Sequence, residues 1–195
     1  KAVGFQFVVL DPEAHTATIT RPNVRIDLGG IAKGYAVDEA LKVLAEHGIN
    51  RALVDGSGDI AIGDPPPGCD AWVVSVASLD QPDSKSAATL SLRNCAVATS
   101  GDAFQHVEIG GRRYSHIVNP KTGFGLSQSS SVTIIAPNGM LADSLASAAS
   151  VMGPTPGVQL IDTTKNTRFE APVLTPQNHN AKPDSIKTIR NPTTP

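Results

Sequence analysis

The sequence predicts an α+β fold in which a largely antiparallel sheet carries helices on one face. Two observations support this prediction. The β-rich runs occur singly or in hairpins, and only two segments show long helical periodicity. A chain of 195 residues is long enough for one domain with a hydrophobic core. We expect this domain at residues 1–171, followed by a flexible, polar Pro/Asn/Thr-rich tail at residues 172–195.

Composition excludes two classes of partner. The net charge is −2 and aromatic residues make up only 4% of the chain. Proteins that bind nucleic acid or anionic membranes usually carry a basic patch, and single-strand binders also need aromatic stacking platforms. We therefore expect no nucleic-acid partner. No apolar run approaches the about 18 residues of a membrane-spanning helix.

The first third of the chain predicts three strands and one helix. β-rich runs flank a turn that contains Asp11 and Pro12, which is typical of a hairpin. The apolar spacing that follows the glycines predicts a helix ending at Gly48. The predicted strands are at 5–10, 15–20 and 23–27, and the predicted helix is at 36–47.

The rest of the chain predicts further strands and the second long helix. The Gly110–Gly111 pair predicts a hairpin turn. The predicted strands are at 51–55, 60–63, 72–77, 88–92, 96–98, 107–118 (the hairpin), 131–136 and 167–170, with a polar connection at 78–87. Helices are predicted at 138–153 and 154–163.

The helix at 138–153 carries a candidate metal site. Asp143 and Ser147 are four residues apart, so both point from one face of the helix. A carboxylate and a hydroxyl suit a hard cation such as Mg²⁺, which prefers oxygen ligands. The alternative is structural: an acid favoured by the helix dipole together with a small packing residue.

Two glycine-containing segments are candidates for binding phosphate. Gly29 and Gly30 lie between a predicted strand and a helix, a layout that aims backbone N–H groups at an anion, and Lys33 adds a cation. The alternative is a tight turn with a solvated lysine. A second polar turn, with Ser100 and Gly101, either faces phosphate oxygens or caps a short helix at 103–106.

Three further residues have open roles. His116 ends a predicted strand beside a Pro/Gly turn, where it is either structural or part of a functional site. Cys69 and Cys95 lack the spacing of a metal site, and the sequence allows either a disulfide or two buried thiols.

Five segments in fixed order resemble the ApbE family, the FAD:protein FMN transferases. The segments are DLGGIAKGYAVD (27–38), GSGDI (56–60), AVATSGD (96–102), YSHIVNPKTG (114–123) and SVTIIAPNGMLADSLASAASVMG (131–153). The resemblance covers roughly residues 4–170. It implies a two-layer α+β fold related to T-folds and a Mg²⁺-dependent reaction. In that reaction FMN passes from FAD to a Thr or Ser hydroxyl of a target protein, and AMP is released.

The resemblance also implies roles for individual residues. Ser147 stands where most members have Thr, and Lys33 occupies a position where some members carry an acid. The implied metal ligands are Asp143, Ser147 and the backbone carbonyls of Ala32 and Ala146. The implied flavin-nucleotide contacts are Gly29, Tyr35 and Val118, and His116 is implied to assist proton transfer from the acceptor hydroxyl.

The resemblance leaves three functions to distinguish. These are the transferase, an FAD-binding or FAD-hydrolysing relative without an acceptor protein, and a truncated, catalytically silent module that only binds nucleotide or a partner. Family members also carry an N-terminal region with a Met-Gly-Thr segment and more flavin contacts, so we expect this chain to match the C-terminal part of such a protein. By analogy, we expect it at the bacterial cell envelope, on the periplasmic side or the cell surface, tethered to the membrane only through an N-terminal lipid anchor.

Overall fold

The computed structural model describes residues 4–76, 88–101, 105–128, 131–164 and 167–170. The helices are the short 3₁₀ helix Phe5–Phe7, α1 (Ala32–Glu46), α2 (Gly139–Met152) and α3 (Pro154–Thr163). The strands are β1 (Val8–Asp11), β2 (Thr16–Ile19), β3 (Leu53–Asp55), β4 (Ile60–Ile62), β5 (Trp72–Val76), β6 (Ala88–Leu92), β7 (Cys95–Gly101), β8 (His106–Ile109), β9 (Arg112–Ser115), β10 (Ser131–Ala136) and β11 (Arg168–Glu170).

A five-stranded antiparallel sheet forms the centre of the described structure, in the order β11-β10-β7-β4-β3. β10 lies inside the sheet, and all six of its residues are buried. Because successive side chains point to opposite faces of a strand, β10 contributes to two separate cores. Three antiparallel hairpins, β1-β2, β5-β6 and β8-β9, complete the described strands.

The helices cover one face of the central sheet and the β5-β6 hairpin covers the other. Ile134 belongs to the helix-side core, whereas its neighbour Ile135 belongs to the hairpin-side core. The buried residues of the helix side are Ala98, Val132, Ile134, Ala136, Ala142, Leu145, Ala146, Ala149 and Ile161. Those of the hairpin side are Ile62, Val74, Leu92, Val97 and Ile135. The predicted α+β class, with an antiparallel sheet and helices on one face, is confirmed.

The N-terminus of α2 is held by the side chain of an α1 residue. Asp38 accepts hydrogen bonds from the N–H groups of Gly139 (2.6 Å) and Met140 (2.9 Å). The cap residue Asn138 accepts a third bond from Leu141 N–H, at 2.9 Å. These acceptors satisfy N–H groups that have no partner within the helix. The carboxylate therefore fixes the start of α2 against α1.

A pair of glycines allows α1 and α2 to cross closely. A Cβ atom added to Gly34 would collide with the carbonyl oxygen of Gly139. A Cβ atom added to Gly139 would lie 2.7 Å from the carbonyl oxygen of Gly34. Because glycine has no side chain, the two backbones approach to a distance that any other residue would prevent.

Several predicted boundaries are wrong. Residues 23–27 do not form a strand; Asn23 has φ 64°, and no strand among the described residues pairs with the segment. Residues 99–101 continue β7 because β10 supplies partners for them up to the Ser131–Gly101 pair. The return strand of the β8-β9 hairpin ends at Ser115 rather than at residue 118. Helix α1 begins at Ala32 rather than at residue 36.

Cys69 and Cys95, both in the described part of the chain, do not form a disulfide, and the expectation of two buried thiols is wrong because Cys69 is exposed and Cys95 is only partly buried. The polar connection at 78–87, most of the short helix at 103–106 and the tail at 172–195 lie outside the described residues. His106, the last residue of that short helix, belongs to strand β8 instead. No helix in the described part of the chain is both long and apolar enough to cross a lipid bilayer.

Candidate functional site

Asp143 lies at the contact between α2 and the first turn of α1. Its side chain is buried, with 2% exposure, and its Oδ2 atom accepts a hydrogen bond from Gly34 N–H at 3.1 Å. This N–H group belongs to the first turn of α1, where helical partners are missing. The carboxylate thus caps α1 in the way that Asp38 caps α2. Gly34 is two residues after Ala32, one of the predicted carbonyl ligands.

Ser147 lies one turn further along α2, between the glycine turn and the end of β7. Its Oγ atom is 3.1 Å from Ser100 Oγ. On the other side, a Cβ atom added to Gly30 would lie 3.1 Å from Ser147 Oγ. The predicted pair therefore faces the segment around Ala32. The structure also brings a residue of the second polar segment, Ser100, to the same place.

Asp59 is a residue of this region to which the sequence reasoning gave no role. It directly precedes β4 and is buried, with 1% exposure. Its Oδ2 atom lies 2.7 Å from Lys33 Nζ, yet it has no hydrogen bond of good geometry among the described residues. The only sequence signal was the acid after the Gly-Ser-Gly turn of the second family segment.

The charges in this region favour the binding of a cation. Burial raises the pKa of Asp59 above its ordinary value, and the nearby negative charge of Asp143 raises it further. The ammonium group of Lys33 and the backbone of Thr99 oppose that increase in the pKa without cancelling it. Two buried carboxylates thus lie near each other, with the ammonium group of Lys33 paired to Asp59, and a bound cation would relieve their repulsion.

The oxygen donors in this region fit a hard cation whose coordination is completed by water and substrate. In the described residues, no group of three or more His, Cys, Asp and Glu side chains could hold a metal ion. The available donors are instead one carboxylate, that of Asp143, and the hydroxyl of Ser147. Mg²⁺ is commonly held by one or two carboxylates, with waters and substrate phosphates completing its coordination. The oxygen chemistry therefore fits Mg²⁺.

The two predicted carbonyl ligands have different surroundings. Ala32 is the first residue of α1, next to the turn that faces Ser147. Ala146 is fully buried inside α2, and its carbonyl oxygen accepts a hydrogen bond from Ser150 Oγ at 2.9 Å. Metal ligation by that carbonyl would require the Ser150 hydroxyl to move. Ligation by either carbonyl stays a prediction.

The predicted nucleotide contacts fall into two groups. Gly29, Lys33 and Tyr35 lie at the start of α1, where Gly29 N–H donates to Asp27 Oδ1 at 2.8 Å. Ser100 and Gly101 end β7, beside the same segment. Val118 lies elsewhere, in an isolated bridge to Gly125 after the β8-β9 hairpin. Their contact with a nucleotide stays a prediction.

His116 also lies outside the α1-α2 region, directly after β9. Its side chain is exposed, and its Nδ1 atom is 3.1 Å from the carbonyl oxygen of Gln105. A carbonyl oxygen can only accept, so this contact assigns the proton of the neutral ring to Nδ1. The Nε2 atom then carries the lone pair. The contacts of the described residues do not join His116 to Asp143 or Ser147.

The fold is the antiparallel α+β arrangement expected of the family that the five sequence segments resemble. The chain belongs to the ApbE family, because the model described as "ApbE family" matches residues 1–171.

Curated relatives and solved structures agree with this assignment. "FAD:protein FMN transferase" of Treponema pallidum is 36% identical over 148 residues, which is 71% of this chain and 41% of the relative. The Haemophilus influenzae protein of the same name is 30% identical over 155 residues, 77% of this chain and 45% of the relative. The ApbE protein of Thermotoga maritima superposes with a TM-score of 0.77 at 32% identity, covering 89% of this chain and 56% of that chain. This chain therefore spans less than half the length of these curated relatives.

Proposed function

We propose that this chain is part of an FAD:protein FMN transferase. The reaction would move FMN from FAD to a Thr or Ser hydroxyl of a target protein and release AMP. The main support is the position of Asp143 and Ser147, which face the first turn of α1 together. The names of the relatives, FAD:protein FMN transferase, supply the substrate class.

The proposed reaction is a phosphoryl-type transfer in which one P–O bond forms and another breaks. The acceptor hydroxyl oxygen attacks the phosphorus of the FMN moiety and forms a phosphate ester. The bond from that phosphorus to the bridging oxygen breaks, and AMP leaves with the electron pair. His116 Nε2 takes the proton of the hydroxyl, because its Nδ1 proton is directed to Gln105 O and leaves Nε2 as the acceptor.

The pyrophosphate group carries negative charge that must be neutralised as the bond breaks. Mg²⁺ bound by Asp143 and Ser147 would supply this neutralisation on the non-bridging oxygens. The protein contributes the geometry: Asp143 is fixed by Gly34 N–H, and Ser147 is fixed between Ser100 and Gly30. Lys33 carries a further positive charge, which would bind the pyrophosphate equally before and during the reaction.

Asp143→Ala should abolish Mg²⁺-dependent flavin transfer to a Thr-bearing acceptor peptide. Loss of a direct metal ligand should exceed the roughly 10–100-fold loss that is typical of an outer-sphere partner. The measurement is the rate of covalent flavin incorporation at fixed FAD and varied Mg²⁺, in the whole protein. Ser144→Ala is the matched control, because the Ser144 hydroxyl bonds Leu141 O within α2. Undiminished transfer by the Asp143 variant would contradict the metal assignment.

The same assay separates the transferase from the other two functions. Release of free FMN and AMP from FAD, unchanged by an acceptor peptide, would identify a hydrolase. Equilibrium dialysis with FAD tests the third possibility. Failure to bind FAD, with a folded circular dichroism spectrum, would identify a catalytically silent module.

We further propose that the protein acts at the bacterial cell envelope. This proposal is supported by the resemblance of the five sequence segments to the ApbE family. Members of that family are usually tethered by an N-terminal lipid anchor. Cell fractionation of the organism that produces the protein tests it. Recovery of the protein in the cytoplasmic fraction alone would overturn the proposal.

A further inference from the structure

The Gly-Ser-Gly turn before β4 delivers a buried carboxylate to the base of the α1-α2 region. Ser57 and Gly58 both have positive φ values, 62° and 94°, and Gly58 N–H donates to Asp55 Oδ1 at 2.9 Å. A Cβ atom added to Gly56 would lie 2.7 Å from Val37 Cγ1. The turn is therefore tightly curved and pressed against α1. This packing buries the next residue, Asp59, beneath the first turn of the helix.

The charge at the end of Lys33 is directed inward by this carboxylate. The lysine side chain is 49% exposed, yet its Nζ atom lies 2.7 Å from the buried Oδ2 atom of Asp59. An unpaired lysine at a helix surface would extend into water, where its ammonium group is best hydrated. The ion pair instead keeps the ammonium group against the buried carboxylate of Asp59.

Burying the carboxylate of Asp59 costs free energy that a packing role would not explain. A buried carboxylate is unfavourable unless it is paired and hydrogen-bonded, and the Oδ2 atom of Asp59 lacks a well-formed hydrogen bond among the described residues. A second carboxylate, Asp143, lies near enough to disfavour its charge further. Groups with such unfavourable surroundings concentrate at functional sites.

We propose that Asp59 is a positioning residue that holds the ammonium group of Lys33 for contact with the pyrophosphate of the flavin nucleotide. The inference rests on the proposed transferase function. The ammonium group faces Asp59 on its inner side, and the protons on its exposed side are available to phosphate oxygens. The pyrophosphate then lies between the ammonium group and the oxygens of Asp143 and Ser147. The carboxylate itself touches neither substrate nor metal.

A double-mutant cycle on the whole protein tests this role. The variants are Asp59→Asn, Lys33→Met and their combination, and the readouts are the Kd of FAD in the presence of Mg²⁺, KM and kcat. If Asp59 acts through Lys33, each single variant should raise Kd and KM by about 10-fold, the lower bound for an outer-sphere partner. The value of kcat should change little, because the contact exists before and during the reaction. The double variant should be no weaker than the weaker single variant.

Two controls keep the test specific. The first control is the exposed pair of Lys42 and Glu39 on the same helix, with an Nζ to Oε2 distance of 3.4 Å. The equivalent variants Glu39→Gln and Lys42→Met should leave Kd unchanged. Lys33→Arg retains the charge and the partner, and it should recover Kd to within about 3-fold of the wild type. Lys33→Met leaves the buried carboxylate of Asp59 without its ion-pair partner and could weaken folding for that reason alone. The double variant removes both charges, so it shows the effect on FAD binding without an unpaired buried charge.

The outcomes distinguish this inference from the proposed function. An unchanged Kd in Asp59→Asn, or effects that multiply in the double variant, would overturn the positioning role while wild-type FAD binding and transfer persist. A wild-type protein that binds no FAD would overturn both.

Discussion

At the residue scale, the two long helices cap each other. Asp38 of α1 accepts two N–H groups at the start of α2, and Asp143 of α2 accepts the Gly34 N–H group at the start of α1. Each carboxylate lies where the partial positive charge of a helix N-terminus stabilises it. The structural and metal-binding interpretations of Asp143 are therefore compatible, because a cap that fixes the carboxylate also orients it.

The single residues of the site differ in how far the sequence predicts them. The spacing of Asp143 and Ser147 predicts their common direction, because four residues make about one helical turn. The role of Asp59 is not predictable in this way. Its depth depends on a turn in which Ser57 adopts a positive φ, and on α1 packing against that turn. Contacts between residues distant in sequence leave no periodic signal.

Asp59→Asn should stabilise the protein at neutral pH when divalent metal is removed by chelation. The folded-state pKa of Asp59 lies above its ordinary value of 3.8. Between pH 3.8 and that raised pKa, the folded protein therefore binds more protons than the unfolded chain. The contribution of this group to the free energy of unfolding is thus fully present below pH 3.8. It is lost as the pH rises through the raised pKa.

The measurement compares urea unfolding of the wild type and of Asp59→Asn across this pH range, in the presence of chelator. The stability difference in favour of the variant should grow as the pH rises from 3.8, and it should become constant above the folded-state pKa. A constant difference at every pH would mean that burial does not disfavour the Asp59 charge. The same variant should bind FAD less well, which is the common opposition between stability and function.

At the element scale, the close crossing of α1 and α2 assembles the site. Gly34 and Gly139 permit the approach, and without it neither Asp143 nor Ser147 would reach the first turn of α1. Periodicity and turn residues predicted both helices, α3 and most strands. The segment at 23–27 shows the limit of this reasoning, because a β-rich composition forms a strand only where a partner strand exists.

Asp38→Ala should destabilise the protein by about 1–3 kcal/mol, because two N–H groups at the start of α2 lose their acceptors. The measurement is the free energy of unfolding from denaturant titration. Glu39→Ala is the matched control on the same helix. Its exposed ion pair with Lys42 should contribute no more than about 0.5 kcal/mol. Equal effects of the two substitutions would show that Asp38 does not fix α2.

At the scale of the whole molecule, the central sheet separates two cores. Alternation along β10 sends Ile134 to the helices and Ile135 to the β5-β6 hairpin. The helix-side core supports the floor of the site, because Ala142 and Ala146 anchor the helix that carries Asp143. Damage to this core should therefore affect the site as well as stability.

Ile134→Ala should lower the free energy of unfolding by about 2–5 kcal/mol, since the side chain has 0% exposure and the deletion leaves a cavity. Ile109→Ala is the matched control, because that isoleucine is 66% exposed on the β8-β9 hairpin. Its substitution should change stability by less than about 0.5 kcal/mol. Thermal and denaturant unfolding give both values, and a small effect at Ile134 would contradict its central position.

The sequence alone determined the α+β class, both long helices, the β1-β2 and β8-β9 hairpins and the family of the chain. Each of these follows from local periodicity, turn residues or ordered segments. Only the tertiary structure decided where β7 ends, that residues 23–27 lack a strand partner, and that Asp59 lies beneath Lys33. The physical reason is that such features depend on pairing and burial between segments far apart in the chain, and those energies exist only once the segments have met.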